Sequence, residues 1–361
     1  MLDFHQVRVA IVHYWLLGMR GGEKVVEALC RIFPSADIFT LFYRPERLSP
    51  TIRSHRVTAS FLNPLWRHYR SLLPAMPYAL ETLDLRGYDL VISSESGPAK
   101  GVITSSSTRH VCYVHTPMRY LWDLYPDYLH EWTGPRLKRW AMIALTNWLR
   151  TWDFAAAARV DEFVANSENV RRRIWKTYRR ESTVVHPPVD IDSFRCDPAE
   201  DYYLIVSELV RYKRLDSAIR FFSAAGRKLR VAGDGPDFKR LRSLANSNVE
   251  FCGRVSDEEL RGLYARCRAF LMPGEEDFGI TIVEAIASGK GVIALGRGGV
   301  LEIVPPEGAF FYDSPDEKSI ESALKRFESA DVPASKLQAA AARFSAAEFD
   351  RKMREVLYRN E

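Results

Sequence analysis

The sequence predicts an α/β protein built as two doubly wound domains, each a parallel sheet covered by helices. Three observations carry this. The chain has 361 residues, and at roughly 100–200 residues per domain that length accommodates two. Short apolar runs alternate with stretches of helical spacing in both halves, the pattern of βαβ units whose strands are buried on both faces. The segment 183–194, with Pro187-Pro188 inside it, interrupts the series once. Consecutive prolines stop regular structure and stiffen a crossover. The domains are therefore expected at 1–185 and 186–338.

In the first series the apolar runs at 7–13, 38–42, 90–93, 110–114 and 162–165 read as strands. Helical spacing falls at 22–32 and 169–178, with longer stretches near 66–83 and 136–158. The apolar stretch from Val7 to Leu17, with one Arg at its start and a Gly turn after it, reads as a buried strand, not a signal peptide. The second series is more regular. Strands are expected at 202–207, 229–232, 249–252, 269–272, 292–295 and 309–312, and helices at 215–225, 238–245, 257–265 and 280–288. Two such domains facing one another leave a cleft at the C-terminal strand ends, where these sheets bind ligands.

Hydrophobic residues make up 47% and charged residues 27%, an ordinary globular balance that excludes a mainly disordered chain. The net charge of +5 is unevenly spread. Residues 1–190 carry 25 basic and 18 acidic side chains, residues 191–361 carry 26 and 28, and all eight His lie at or before His186. The basic half is where an anionic partner or surface is expected. The five cysteines are scattered with no CxxC pair, which argues against a disulfide framework or zinc ribbon and for a reducing compartment. No run approaches the ~18 apolar residues of a spanning helix. No nucleic-acid reader motif is present.

Four motifs carry candidate chemistry. Gly18-Met19-Arg20-Gly21-Gly22-Glu23-Lys24 follows the first strand and opens a helix. Its glycines let backbone N–H groups approach a phosphate, or form a plain strand–helix turn; the spacing matches neither GxGxxG nor a P-loop. The second motif runs from Glu275 to Ala285, after a Pro273-Gly274 turn. Phe278-Gly279 opens the helix, so Glu276 lies in the loop, N–H groups near Ile280 and Thr281 meet a diphosphate, and Glu284 accepts from ribose hydroxyls. The alternative is an acidic helix start that complements the macrodipole. Third, Arg211, Lys213 and Arg214 cluster after a strand, to neutralise a leaving diphosphate or as a solvated loop. Fourth, His115 ends the strand begun at His110, which puts it near the cleft. Two aromatic and basic stretches, 61–78 and 136–152, suit anionic headgroups or a core helix with a basic outer face.

Taken together these residues resemble retaining glycosyltransferases of family 4, over nearly the whole chain. The strongest element is the E-x7-E pattern from Glu276 to Glu284 within EEDFGITIVEA, followed by Gly298-Gly299. Gly233-Asp234-Gly235-Pro236, the run from Phe251 to Ser256, and His186-Pro187-Pro188-Val189-Asp190 also look like family segments. HYWLLGMRGGEKVVEAL, IFPSADIFTLFY, GYDLVISSESGPAKGVIT and VCYVHTPMRYLWDLYPDYL resemble the bacterial O-antigen and exopolysaccharide mannosyltransferase branch.

The resemblance implies a GT-B fold of two Rossmann-like domains, a helix near 339–361 returning to the first, and GDP-mannose as donor. The implied acceptor is a polyprenyl-diphosphate-linked glycan for surface polysaccharide, at the cytoplasmic face of an inner membrane. It assigns donor-sugar hydroxyls to Glu276, ribose to Glu284 and diphosphate to Lys213. It also puts Gly21 and Gly22 in a phosphate-facing loop, His115 near the reacting centre, and Arg254 and Val255 by the base. Phe278, Gly279, Ile280 and Thr281 frame the donor end of the motif helix. Ser207-Glu208 stands where many members have Gly-Arg, and Arg211 from the same loop is the candidate substitute. No cofactor and no metal are implied. A UDP-sugar donor, or a non-catalytic nucleotide-sugar-binding scaffold, are the alternatives.

Overall fold

The structure is a computed structural model and describes residues 7–130, 132 and 134–358. The chain forms two compact units. The first runs up to Pro188 and takes in the chain again from Phe349; the second is Val189–Glu348.

The first unit holds seven parallel strands: β1 Val9–His13, β2 Asp37–Thr40, β3 Val57–Ala59, β4 Leu90–Glu95, β5 Arg109–Val114, β6 Glu162–Ala165 and β7 Ser182–Val184. Their order is β3-β2-β1-β4-β5-β6-β7. Its helices are α1 Gly21–Ile32, α2 Pro50–Arg53, α3 Met76–Glu81, α4 Tyr125–His130, α5 Arg136–Ala157 and α6 Glu168–Tyr178. β1 reads Val-Ala-Ile-Val-His and is buried throughout, as a strand covered on both faces requires. Ile11 pairs with Ile38 and Ile92 and packs on Val25, Val26 and Leu29 of α1. Val12 and Phe39 point the other way, to Met76, Ala79 and Leu80 of α3. α1 ends at Ile32 because Pro34 pushes Phe33 out of the α region.

The helix expected near 66–83 is not continuous. Asn63–Ala75 is a run of 3₁₀ turns, Leu65 and His68 leave helical geometry, and only α3 is α-helical. Pro74 lies inside this run and removes a backbone donor from the ladder, and α3 restarts after it with Pro77 in its first turn, where proline is tolerated. The edge strands β3 and β7 were not apparent in the sequence, being three residues long and half-buried. Pairing Val57 with Ile38 and Ser182 with Phe163 makes them strands.

The second unit holds six parallel strands: β8 Tyr203–Val206, β9 Leu229–Ala232, β10 Val249–Gly253, β11 Phe270–Met272, β12 Val292–Leu295 and β13 Ala309–Tyr312. Their order is β10-β9-β8-β11-β12-β13. Its helices are α7 Leu215–Ala225, α8 Phe238–Ser243, α9 Asp257–Arg266, α10 Ile280–Ala287, α11 Val300–Ile303, α12 Glu317–Glu328 and α13 Ala334–Ala341. One face of the sheet packs on α10, with Ile282, Val283 and Ile286 against Phe270 and Val292. The other packs on α7 and α12, with Ile219, Phe222 and Leu324 against Ile205 and Ile293.

Both crossings between units fall later than the sequence suggests. His186, Pro187 and Pro188 still belong to the first unit, following Val185, whose N–H donates to the Ala165 carbonyl at 2.9 Å and whose carbonyl accepts from the Tyr113 hydroxyl at 2.8 Å. The expected single helix at 339–361 is two, because the chain straightens at Ser345 between α13 and α14 (Ala346–Tyr358). Phe344 packs in the second unit, whereas Phe349, Met353, Val356 and Leu357 pack in the first. Arg109 donates to the carbonyls of Leu357 (2.6 Å) and Val356 (3.1 Å), satisfying the last turn of α14.

Candidate active site

Each sheet has one place where the strand order reverses. In the first unit it lies between β1 and β4, and in the second between β8 and β11. Loops leaving neighbouring strands there run in opposite directions and open a crevice at the carboxyl ends. Most of the candidate residues lie at these two points, with His115 one strand away and Arg254 and Val255 at the sheet edge.

In the second unit, the loop after β8 carries the 3₁₀ turn Arg211–Lys213, and the loop after β11 carries Glu275, Glu276 and Asp277. The loops pack backbone against backbone. A Cβ at Gly274 would lie 2.5 Å from the Lys213 carbonyl oxygen, so only glycine permits the approach. Across it, Lys213 Nζ donates to Glu276 Oε1 in an ion pair with side chains 14% and 19% exposed. Glu276 is held from a third loop, after β12, where Gly299 N–H donates to its carbonyl at 2.8 Å and Gly298 bridges to it.

α10 begins directly after Gly279, at φ 104°, so Ile280 and Thr281 occupy its first turn, both half-buried, over the buried Phe278. Glu284, one turn further in, is only 6% exposed, and its Oε2 accepts from the buried Tyr264 hydroxyl at 2.9 Å. Burial, with Glu284 beside it, holds that phenol well above its ordinary range. Arg211 is exposed on the same turn as Lys213. Arg254 and Val255 follow β10 on the same sheet edge, two strands from β8.

In the first unit, Gly21 and Gly22 form the first turn of α1, and the Glu23 side chain accepts from Arg20 N–H at 3.1 Å in a capping box. Burial pushes the Glu23 carboxyl up to about 7. Beyond β5, His115 donates its backbone N–H to the Glu95 carbonyl (2.7 Å), and its Nε2 lies 2.9 Å from Ser94 Oγ. Burial lowers its imidazole to about 4. Next to it stands His13, fully buried at the end of β1. The strand-end argument that singles out His115 applies equally to His13, which sequence reasoning passed over.

Ser94 thus contacts both imidazoles and Glu95 holds the His115 backbone, and a buried ion cluster anchors them. Lys100 N–H donates to Glu95 at 2.8 Å, and Lys100 Nζ pairs with Glu95 (3.1 Å) and with Asp153. Trp122 Nε1 and the Tyr178 hydroxyl each donate to Asp153 at 2.9 Å. Burial raises Glu95 to about 7; burial opposes the Lys100 charge, but Asp153 and Glu95 outweigh it and hold that group above its usual range. Nothing in the local sequence pairs Lys100 with Asp153, which lies on a distant helix. Among the described residues no cluster of three or more His, Cys, Asp or Glu side chains is arranged to hold a metal ion.

Two family comparisons cover most of the chain. Residues 19–193 match the family described as Glycosyltransferase Family 4, and residues 190–344 match Glycosyl transferases group 1. The chain belongs to glycosyltransferase family 4 and has the two-domain GT-B fold. O-antigen chain mannosyltransferase RfbU of Salmonella typhimurium is 30% identical over 175 residues, 45% of this chain and 49% of that one. A GDP-mannose-dependent alpha-mannosyltransferase of Mycolicibacterium smegmatis is 39% identical over 80 residues, 22% of this chain and 21% of that one. The chain spans less than half the length of the curated relatives it matches. The solved structure of Anabaena HepE in complex with UDP and glucose superposes with a TM-score of 0.69 at 16% identity, covering 98% of this chain and 100% of that one.

Proposed function

We propose that this chain transfers mannose from GDP-mannose to a polyprenyl-diphosphate-linked glycan, with retention of anomeric configuration and without a metal ion. The observation that carries the reading is the Lys213–Glu276 pair at the β8/β11 reversal point, next to the first turn of α10. It sets a cation, a carboxylate and free helix-end N–H groups in one crevice. The names of the Salmonella and Mycolicibacterium relatives support mannose as the sugar.

In this reading the donor diphosphate takes Lys213 and the N–H groups of Ile280 and Thr281, which stabilise charge as it develops. The sugar C1–O bond breaks with its electron pair on the diphosphate. The acceptor oxygen forms the new bond from the same face, and its proton passes to the departing phosphate oxygen. Glu276, released from Lys213, accepts from sugar hydroxyls and holds C1 in place. Arg211 adds charge from the same turn, Glu284 holds the ribose, and Arg254 with Val255 flank the base.

The test is a thermal-shift screen of GDP-mannose, GDP-fucose, UDP-glucose and UDP-N-acetylglucosamine in excess EDTA, because ligand binding to the native state raises apparent stability. A preference for GDP-mannose, and transfer that persists in EDTA, are expected. Preference for a UDP-sugar would establish the second reading, which the Anabaena complex favours by its own ligands. Loss of transfer that a divalent ion restores would overturn metal independence. A non-catalytic scaffold would bind without turnover.

The acceptor lipid implies contact of the first unit with an anionic membrane at its cytoplasmic face. The first turns of α5 support this: Leu137 and Trp140 are 82% and 66% exposed among Arg136, Lys138 and Arg139. Exposed apolar side chains interleaved with cations suit a headgroup boundary. No helix among the described residues is long and apolar enough to cross a membrane.

A further inference from the structure

Buried polar atoms in folded proteins almost always have a hydrogen-bond partner. His13 Nε2 is a buried nitrogen with none among the described residues. The other ring nitrogen fixes its state. Nδ1 lies 2.9 Å from the Ser94 carbonyl oxygen, which can only accept, so Nδ1 carries the hydrogen. Burial first, and the nearby His115 second, lower this imidazole to about 3, so it is neutral at pH 7. Nε2 is therefore a bare lone pair that takes a donor hydrogen and repels phosphate oxygens.

The ring edge faces Gly22. A Cβ there would lie 3.3 Å from His13 Cε1, 3.4 Å from the Tyr14 hydroxyl and 3.5 Å from His115 Nε2. His13 itself is fully buried, but Gly22 and His115 beside it are half-buried, so the edge of this pocket borders solvent on one side. Nothing in the backbone demands glycine at this position. Gly22 lies within α1, its φ is outside the left-handed region, and no backbone atom crowds the added carbon. Alanine is the better helix former. What a methyl would do is cover two imidazoles and a phenol. The Tyr14 hydroxyl accepts from Ser96 Oγ at 2.9 Å, which leaves its own hydrogen available to donate.

We propose that the edge over Gly22 is a subsite for a neutral sugar hydroxyl, with His13 Nε2 accepting its hydrogen and the Tyr14 hydroxyl and His115 beside it. This rests on the glycosyl-transfer reading and adds to it a sugar-contacting residue on β1. The hydroxyl comes from the donor sugar or from the acceptor sugar, and the two sources are separable.

The test is NMR of the full chain labelled with ¹⁵N at histidine, alone and with GDP, GDP-mannose, UDP, UDP-glucose, and methyl α-mannoside added over GDP. The His13 Nε2 resonance starts at the position of an unprotonated nitrogen and moves upfield when it accepts a hydrogen bond. Movement with a nucleotide sugar but not its nucleoside diphosphate assigns the donor sugar; movement only with the methyl glycoside assigns the acceptor sugar. A resonance unmoved by every addition, as a structural water would leave it, overturns the proposal, and so does equal movement with the nucleoside diphosphate alone.

Two variants add a second readout. His13→Asn keeps a donor toward Ser94 but loses Nε2, and Gly22→Ala covers the edge. Both are expected to keep the thermal midpoint while the affinity that moved His13 falls about tenfold, the worth of one hydrogen bond. Unchanged affinity in both folded variants overturns the proposal. If nucleotide sugars raise the midpoint but leave His13 still, only this subsite fails. If no nucleotide sugar shifts the midpoint or any histidine, the glycosyltransferase reading fails and this inference with it.

Discussion

Glu276 and Lys213 neutralise one another across two loops of the second unit. A charge removed from such a half-buried pair leaves its partner uncompensated, so substitution must separate chemistry from folding. Glu276→Gln keeps an oxygen for Lys213 to donate to. It is expected to cut turnover about 10²-fold or more, in line with loss of a charged active-site group, with the melting midpoint close to the parent's. An unchanged rate would remove Glu276 from the reacting centre. His13 gives a pH prediction. Its pKa is lowered from 6.5 to about 3 in the fold, so the unfolded chain binds more protons between those values. Stability therefore falls as pH drops from about 6.5 towards 3. Glu23, raised to about 7, contributes the opposite slope between about 4.5 and 7, so the wild-type profile alone does not isolate His13. The difference between wild type and His13→Asn does. Urea midpoints from pH 7 to pH 4 should fall less steeply in the variant, and parallel curves would show that His13 titrates normally.

At the level of elements, loops after neighbouring strands position the candidate site. The β8 and β11 loops approach so closely that Gly274 has no room for a side chain. Gly274→Ala should force the Lys213 turn outward, costing roughly 1–3 kcal/mol of stability and weakening nucleotide binding, as urea unfolding and calorimetry would read. Retained affinity would mean that the two loops need not meet. The first unit uses the same device with different chemistry. Ser94 and Glu95, closing β4, hold His13 and His115, and Lys100 with Asp153 fixes that strand end. A buried ion cluster of this kind is costly to break from one side, which explains why a charged lysine is fully enclosed.

Over the whole molecule, the charge asymmetry of the sequence takes on a location. The excess of basic side chains before residue 190 includes Arg136, Lys138 and Arg139 at the exposed start of α5, beside Leu137 and Trp140. Vesicles rich in anionic lipid should therefore retain the full chain in flotation, and raised salt or neutral lipid should release it. Trp140→Ala with Leu137→Ala should weaken retention at constant salt. Retention indifferent to lipid charge and to both substitutions would reduce this face to solvated surface.

The amino-acid sequence by itself placed all six strands of the second unit and four of its helices, though not α11, α12 or α13. Its six strands are short, mostly apolar runs, with Arg230 and Glu250 the charged exceptions, and its site helix opens at a Gly, signals that are local in the chain. The E-x7-E spacing likewise placed Glu276 in a loop and Glu284 one helical segment further on. Where local signals conflicted or were absent, only the tertiary structure decided. Pro74 broke the helix expected near 66–83, and the edge strands β3 and β7 exist because neighbours pair with them. Strand order put most of the candidate residues at or beside two reversal points, and no periodicity encodes strand order. The same holds for the partners of Lys213, His13, Glu284 and Lys100, since hydrogen bonds between residues 53 or 81 positions apart arise from packing.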